Sequence, residues 1–287
     1  MNTVSVVIPT YNRINVISRA IDSVLKQTHP INQIIVVDNN STDNTSEILK
    51  NEYSKIEILV EHKQGVSFAR NKGIKYSNCD WVALLDSDDC WKPQKIEKQL
   101  SLYEKSKKKL RVIHTDEIWY KNNKLFNQKK IHKKSGGDIF EKCVDLCCIS
   151  PSSALLRSDL FKDIGYFDVS FPACEDYDFW LRVTAREKVL FLDEPLTIKY
   201  GGHDDQLSKK YWGMDRFRVK ALEKLILNHE LNSKQKKVAL KSLTSRLEII
   251  INGAKKRNNQ NIEKIFQKKL NDWKLYIMEN KQIEVFK

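Results

Sequence analysis

The sequence predicts an α/β fold, a mostly parallel sheet flanked by helices, followed by an α-helical C-terminal extension. Strand-like and helix-like patterns alternate over the first hundred residues, the order typical of a parallel sheet covered on both faces. Polar side chains come directly after three of those strands. Beyond about residue 210, apolar residues recur only at helical spacing.

The alternating region contains four strands and four helices. Each predicted strand is a short run of β-branched or other apolar residues, and the runs cover residues 4–8, 34–37, 56–60 and 81–85. Helical patterns are predicted over residues 14–25 and 44–51, after Gly65, and from near Pro93.

Residues 110–200 give a mixed pattern. The predicted strands cover residues 112–114 and 118–120 around a turn, then 153–156 and 189–192. A helix is predicted over residues 177–185, and a polar, basic, mobile loop over residues 121–134.

Composition excludes several classes of protein. Of 287 residues, 41% are hydrophobic and 30% are charged, which excludes a disordered chain, a collagen-like chain and a small disulfide scaffold. No apolar run reaches the roughly 18 residues of a membrane-spanning helix. We see no signal-peptide pattern at the start and expect a cytoplasmic location, with the six cysteines as buried, reduced thiols.

The net charge of +13 is unevenly distributed. Residues 1–204 contribute +2 and residues 205–287 contribute +11. This asymmetry predicts a domain over residues 1–204 and a basic helical extension over residues 205–287, with different partners.

The polar residues after the strands predict one ligand site. They occupy residues 10–12, 38–40 and 86–89, and ligands of open α/β sheets bind beyond the carboxyl ends of the strands. Three carboxylates in the last segment repel one another unless a cation sits among them, and oxygen ligands suit Mg²⁺ or Mn²⁺. The alternative is a helix N-terminus decorated with acidic residues.

Four strings stand in order along the chain: SVVIPTYNR, IIVVDNNSTDNT, GVSFARNKGI and WVALLDSDD. Together they resemble the inverting family 2 glycosyltransferases of the GT-A fold. The resemblance covers residues 3–105 strongly and 150–203 moderately. It implies transfer of a sugar, with inversion, from a nucleotide-diphosphate sugar to an acceptor hydroxyl, in bacterial surface polysaccharide or glycoconjugate synthesis.

The resemblance also implies roles for residues near the donor. Pro9, Thr10, Tyr11 and Asp38 match positions that hold the nucleotide base, and Arg70 matches an arginine near the phosphates. Asp38 as a helix-capping residue and Arg70 on a solvated helix face are the alternatives.

A second set matches the family's metal motif. Asp86 matches the first aspartate of the D-x-D motif, near the ribose, and Asp88 matches the second, which ligates Mn²⁺ or Mg²⁺. The neighbouring Asp89 leaves the identity of the ligand open. His203 matches a late histidine that completes the metal shell or touches the diphosphate, and a loop histidine bonded to backbone is its alternative.

The segment from Cys174 to Asp178 resembles the family's E-D motif. The match implies that Asp176 is the catalytic base and that Glu175 contacts substrate. An acceptor hydroxyl must lose its proton as the new bond forms, and a carboxylate within hydrogen-bond reach can take it. Glu175 and Asp178 are rivals for this role.

The expected partners are a UDP-sugar donor, which is favoured, and a glycan or lipid-linked glycan acceptor. A homo-oligomer is possible, and nucleic-acid binding is not expected. The basic tail is interpreted as a solvated surface packed on the catalytic domain, or as a contact with an anionic membrane at the inner face of the cell membrane. A non-catalytic nucleotide-sugar-binding protein and a membrane-surface adaptor acting through the tail are the alternative functions.

Overall fold

The computed structural model describes residues 2–107, 109–202 and 210–280. Over these residues one sheet of nine strands is flanked by helices, and the strand order is β3-β2-β1-β4-β8-β6-β9-β5, with β7 paired to β6. The strands are β1 Val4–Thr10, β2 Gln33–Asp38, β3 Glu57–Val60, β4 Trp81–Leu84, β5 Cys90–Trp91, β6 Val112–Lys121, β7 Lys124–Leu125, β8 Ala154–Arg157 and β9 Leu190–Gly201.

The helices of the described residues include the five predicted before residue 200 and two short ones, at 140–145 and 160–164, that were not predicted. They are α1 Ile14–Leu25, α2 Thr45–Glu52, α3 Val66–Tyr76, α4 Lys95–Lys105, α5 Phe140–Asp145, α6 Leu160–Ile164, α7 Glu175–Arg186, α8 Asp215–Asn228, α9 Ser233–Lys256 and α10 Gln260–Glu279. In the part of the chain that the structure covers, none of them is long and apolar enough to cross a membrane.

The sheet has a parallel half and a mixed half. Strands β3, β2, β1 and β4 run parallel to one another. Strand β8 runs antiparallel to both β4 and β6, and β9 runs parallel to β6 but antiparallel to β5. The α/β prediction is confirmed, and the parallel half is the part that carries the polar strand ends.

Alternating residues of β1 build two cores on opposite faces of the sheet. Val6 packs in a cluster with Ile17 and Ile21 of α1, whereas Val7 packs in a cluster with Ala69 of α3. Gly73 of α3 lies against Val7, and a Cβ atom there would clash with that side chain. The glycine therefore lets α3 lie close to the sheet.

One strand replaces the two short strands that were predicted around a turn. β6 continues from Val112 to Lys121, with an irregular register against β9 between Thr115 and Glu117. Polar residues in the middle of the run indicated a turn, but these side chains are paired inside the protein. Thr115 Oγ1 lies 3.0 Å from Thr197 Oγ1, and Glu117 lies 3.1 Å from Lys134 Nζ.

The segment that was predicted as a mobile loop is partly regular and has a buried anchor. It contains β7 and a 3₁₀ turn at Lys130–His132. Lys134 is buried, forms the ion pair with Glu117 and donates a hydrogen bond to the Cys148 carbonyl at 3.1 Å. A charged residue in a polar run was thus part of the interior.

The prediction that all six cysteines are buried, reduced thiols is wrong. Cys143 at α5 and Cys148 just after it form a disulfide, because the chain turns back and brings their Cα atoms to 5.5 Å. Cys79 and Cys90 are free and buried, whereas Cys147 and Cys174 are free and half-buried.

The C-terminal helices pack on the rest of the chain. Leu222 of α8 and Leu243 of α9 share one apolar cluster with Tyr177 and Leu181 of α7. Lys224 of α8 adds ion pairs of 2.7 Å to Asp168 and 2.9 Å to Asp178. The tail thus has the packed face that was expected.

Candidate active site

The polar residues after three parallel strands meet at one edge of the sheet. Thr10 at the end of β1 pairs in register with Asp38 at the end of β2. β4 is the other neighbour of β1, and Asp86 follows it by two residues. Parallel strands end on the same side, so the loops predicted to form one site do adjoin.

Asp38 holds two of these loops together. Its Oδ1 accepts a hydrogen bond from the Ser41 backbone at 2.9 Å, and its Oδ2 accepts one from the Ser46 hydroxyl in α2. Asn12, with φ of +51°, accepts a bond from the Thr42 backbone at 2.8 Å. Asp38 therefore ties the loop after β2 to α2 without capping a helix N-terminus, and its role toward a nucleotide base stays a prediction.

The end of β1 presents one buried and one exposed polar side chain. Pro9 and Thr10 are buried, whereas Tyr11 is 47% exposed. Thr10 Oγ1 has no hydrogen-bond partner within the described residues although it is buried. A buried unpaired hydroxyl is costly, so this position can hold a ligand group that bonds it, beside an exposed aromatic ring.

Arg70 joins the loop after β4 to the start of α7. Its Nη2 donates to Asp86 Oδ1 and its Nη1 to Glu175 Oε1, each at 2.7 Å. Burial opposes the charge, but the two carboxylates raise the pKa of Arg70 and keep it protonated. The alternative of a solvated helix face is wrong, because Arg70 is only 4% exposed.

The three aspartates after β4 have different surroundings. Asp89 is buried and accepts hydrogen bonds from Ser152 Oγ at 2.6 Å and from the Tyr200 backbone at 3.1 Å. Lys199 Nζ lies 3.2 Å from Asp89. The Asp88 carboxylate accepts a hydrogen bond from its own backbone N–H and lies in the field of Lys199 and Arg13.

Electrostatics in this cluster favour a bound cation. Burial and the neighbouring Asp86 raise the pKa of Asp88. Burial raises the pKa of Asp89 to about 7, with Asp88 and Asp86 acting in the same direction and Lys199 against them. Against its own burial, Asp86 has its pKa lowered by Arg70 and Lys199. Carboxylates that repel one another in this way are stabilised by added positive charge.

The three candidate bases in the first turn of α7 have different hydrogen-bond partners. Asp178 is buried and bonded to Arg182 at 2.9 and 3.0 Å and to Lys224 at 2.9 Å, so it is a structural residue. Glu175 is committed to Arg70. Asp176 is half-buried, and apart from its own helix N–H its close contact is the Cys147 thiol at 3.4 Å.

A cavity of about 310 Å³ joins the two ends of the site. Its lining includes Arg70, Asp86, Cys147, Ser150, Cys174, Glu175, Asp176, Lys199, Met214 and Arg218. Met214 and Arg218 belong to the C-terminal extension, so part of the cavity wall comes from beyond residue 204. The apolar spacing in the tail predicts only which face of a helix packs. A helix that packs on α7 also brings polar residues to the rim of the cavity.

The cavity does not contain every predicted residue. Pro9, Thr10, Tyr11, Asp38 and Asp88 lie outside its lining. His203 falls outside the described residues, and among those described no group of three or more His, Cys, Asp or Glu is arranged to hold a metal ion. Sequence reasoning missed Lys199, whose signal is a lysine inside an otherwise apolar strand pattern.

Comparison with known proteins identifies the class. The model of the family described as glycosyl transferase family 2 matches residues 5–165, more than half of the chain. The chain therefore belongs to glycosyl transferase family 2, and the resemblance read from the motifs is confirmed.

Curated relatives are similar over most of this chain. The UDP-Glc:alpha-D-GlcNAc-diphosphoundecaprenol beta-1,3-glucosyltransferase WfgD of Escherichia coli is 32% identical over 63% of this chain and 69% of its own length. Uncharacterized glycosyltransferases of Rickettsia are 31–34% identical. The chain spans 65%, 35% and 26% of the length of the first three of them.

Solved structures share the fold at low sequence identity. The Staphylococcus aureus TarS 1–349 in complex with UDP-GlcNAc has a TM-score of 0.69 and 21% identity, over 86% of this chain and 73% of that chain. The mannosyltransferase PcManGT of Pyrobaculum calidifontis, in complex with GDP-Man and Mn²⁺, has a TM-score of 0.60 and 14% identity, over 95% and 84%. The predicted GT-A fold is confirmed.

Proposed function

We propose that this chain is an inverting glycosyltransferase that moves a sugar from a nucleotide-diphosphate sugar to an acceptor hydroxyl. The observation that carries the proposal is the single cavity in which Asp176 lies together with Arg70 and Asp86. A donor held at Arg70 and Asp86 would have its reacting carbon beside the half-buried Asp176. In this scheme residues 1–204 are the catalytic domain, and the extension over residues 205–287 supplies one wall of the site.

Asp176 is proposed as the base. Inversion is a single displacement at the anomeric carbon, in which the acceptor oxygen forms its bond as it loses its proton. Asp176 forms no ion pair within the described residues, whereas Glu175 and Asp178 are both bonded to cations. A carboxylate free to accept a proton is worth roughly 10²–10⁴-fold in rate.

The side chains proposed as metal ligands suit Mn²⁺ or Mg²⁺. Such ions bind through one or two carboxylates and substrate phosphates, and the loop after β4 offers Asp88 and Asp86, with His203 as the proposed third ligand. Bound there, the ion would neutralise charge on the leaving diphosphate. Arg70 and Lys199 bring further positive charge to the cavity and would orient the donor through its phosphates.

A UDP-sugar donor and a glycan or lipid-linked glycan acceptor are favoured. The name of WfgD states a UDP-Glc donor and a diphosphoundecaprenol-linked acceptor, and TarS is named with UDP-GlcNAc. Another relative is named as a putative teichuronic acid biosynthesis glycosyltransferase. These names support a place in bacterial surface polysaccharide or glycoconjugate synthesis.

Substitution of the base tests the reaction. Asp176→Asn keeps the size of the side chain and removes its basicity, so UDP affinity in calorimetric titration should stay near the wild-type value. Transfer from UDP-glucose or UDP-N-acetylglucosamine, measured as UDP release with a glycan acceptor, should fall by roughly 10²–10⁴-fold. Asp272→Asn, an exposed substitution on α10, is the control. Transfer near the wild-type rate in Asp176→Asn would place the base elsewhere.

Substitution of Asp88 tests the metal site. Asp88→Ala should weaken UDP binding in the presence of Mn²⁺, because one of the proposed ligands of the ion is gone. Binding without added metal should change little. Equal affinity of the variant and the wild type for UDP with Mn²⁺ would remove Asp88 from the metal site. Binding of nucleotide sugars by the wild type without any transfer would favour the non-catalytic alternative.

A further inference from the structure

The most unusual surface outside the active site is the segment of residues 121–134. It contains six lysines and no acidic residue. Lys134 points inward to Glu117, and the other five lysines are exposed: Lys121, Lys124, Lys129, Lys130 and Lys133. The segment therefore carries five positive charges to the solvent without a carboxylate of its own to balance them.

Large apolar side chains are exposed among these lysines. Leu125 is 63% exposed and Ile131 is 64% exposed, and Phe126 is exposed beside them. Phe126 stacks on Trp119 with ring centroids 6.4 Å apart. An exposed apolar group surrounded by cations is a feature of surfaces that enter the interface of an anionic bilayer, where apolar side chains reach the acyl boundary and lysines meet phosphates.

A cavity beneath the segment adds to this surface. It has a volume of about 360 Å³ and is lined by Trp119, Phe126, Lys129, Lys130 and Lys133, among other residues. Two acidic residues also line it, Asp116 and Glu117, and Glu117 is already neutralised by Lys134 at 3.1 Å. The net charge of the cavity is therefore positive, as a lipid headgroup phosphate requires.

The C-terminal extension is a weaker candidate for the same role. Several of its cations are bonded inside the protein, among them Lys224 to Asp168, Arg246 to Asp215 and Lys269 to Glu223. Within residues 210–280, most of its remaining charge lies on three helices that also carry acidic residues. Positive charge and exposed apolar surface coincide more closely in residues 121–134.

We propose that residues 121–134 are a docking surface for an anionic lipid bilayer, with Leu125 and Ile131 entering the interface and the five exposed lysines bonding lipid phosphates. The segment adjoins the active site, because Glu117 beside it accepts a hydrogen bond from Ser150 of the catalytic cavity. Docking does not depend on sugar transfer, so the two proposals succeed or fail separately.

Sedimentation with vesicles tests the docking surface. The full chain should sediment with phosphatidylcholine–phosphatidylglycerol vesicles at low salt and not with phosphatidylcholine alone. At about 1 M salt, where the screening length is about 3 Å, only a small part of the binding should remain. Failure of the wild type to bind anionic vesicles at low salt would overturn the proposal.

Two matched pairs of variants locate the contact. Lys124→Glu/Lys129→Glu/Lys130→Glu should lower vesicle partition about tenfold or more. The control, with the same charge change on α9, is Lys237→Glu/Lys241→Glu/Lys256→Glu. Its vesicle partition should stay within about twofold of the wild-type value. Leu125→Ser/Ile131→Ser should lower partition severalfold, and its control on α10, Leu275→Ser/Met278→Ser, should not.

The outcomes separate a bilayer from other partners. Equal losses in the two lysine variants would mean that net charge alone drives binding, and the proposal fails. Loss with the lysine variant but none with Leu125→Ser/Ile131→Ser would indicate a soluble polyanion, such as an anionic glycan, and no insertion, which also overturns it. All substituted side chains are exposed, so the melting temperature and UDP affinity of each variant should match the wild type.

Discussion

Removing the arginine that joins Asp86 to Glu175 should destabilise the fold by a predictable amount. Arg70→Met keeps most of the side-chain volume and deletes two 2.7 Å ion pairs. Taking one partner from a fully buried ion pair costs about 3–5 kcal/mol, because the remaining charge is left in the interior. The Glu175 side chain is 7% exposed but that of Asp86 is 24% exposed, so water solvates part of the charge. We expect the free energy of unfolding to fall by about 3 kcal/mol.

Equilibrium unfolding in urea, followed by circular dichroism, measures this loss. Lys72→Met is the matched control, because Lys72 lies on the same helix and its 3.8 Å pair with Glu61 is partly exposed. That variant should lose no more than about 1 kcal/mol. In the double variant Arg70→Met/Glu175→Gln one buried charge is gone, so part of the lost stability should return.

The stability that Arg70→Met loses relative to the wild type should be larger at high pH than at low pH. Without the guanidinium, burial raises the pKa values of Asp86 and Glu175 in the folded state above those of the unfolded chain. The folded variant then binds protons more readily than the unfolded one, so its stability falls as pH rises. The difference from wild type should shrink between pH 7 and pH 5. A loss no larger than that of Lys72→Met, or a deficit that grows toward pH 5, would refute the reasoning.

Two more lysines in ion pairs give further predictions, both measured by urea unfolding. Lys134→Met should cost about 3 kcal/mol or more, since the Glu117 side chain is fully buried and would lose its cation; Lys133→Met, exposed next to it, should be nearly neutral. Lys224→Met should cost about 2 kcal/mol through its pairs with Asp168 and Asp178. Against the effect of burial, hydrogen bonds from Lys224 and Ser170 lower the pKa of Asp168 to about 2, below its unfolded value of 3.8. The stability that this lowered pKa contributes should be complete above about pH 4 and lost as pH falls toward 2. The free energy of unfolding should therefore fall less steeply with decreasing pH in Lys224→Met than in the wild type. An unchanged slope would contradict it.

Local patterns in the sequence determined the layered part of the fold. The β-branched run of β1 and the apolar spacing of α1 depend on near neighbours, and both elements lie where they were predicted. The polar residues after β1, β2 and β4 adjoin because parallel strands end at the same edge. The sequence also predicted the family, because four short motifs in order resemble those of its members.

Tertiary structure decided how the candidate site is assembled. Arg70 and Glu175 are 105 residues apart in the chain, and no local pattern indicates that they bond. Asp178 forms an ion pair with Lys224, a residue of the C-terminal extension. Arg218 reaches the cavity only because α8 packs on α7. Polar residues that satisfy one another across the fold have the same local sequence as polar residues in solvent. Lys134 inside a lysine-rich segment and the continuous strand through Thr115 were therefore visible only when their partners were in place.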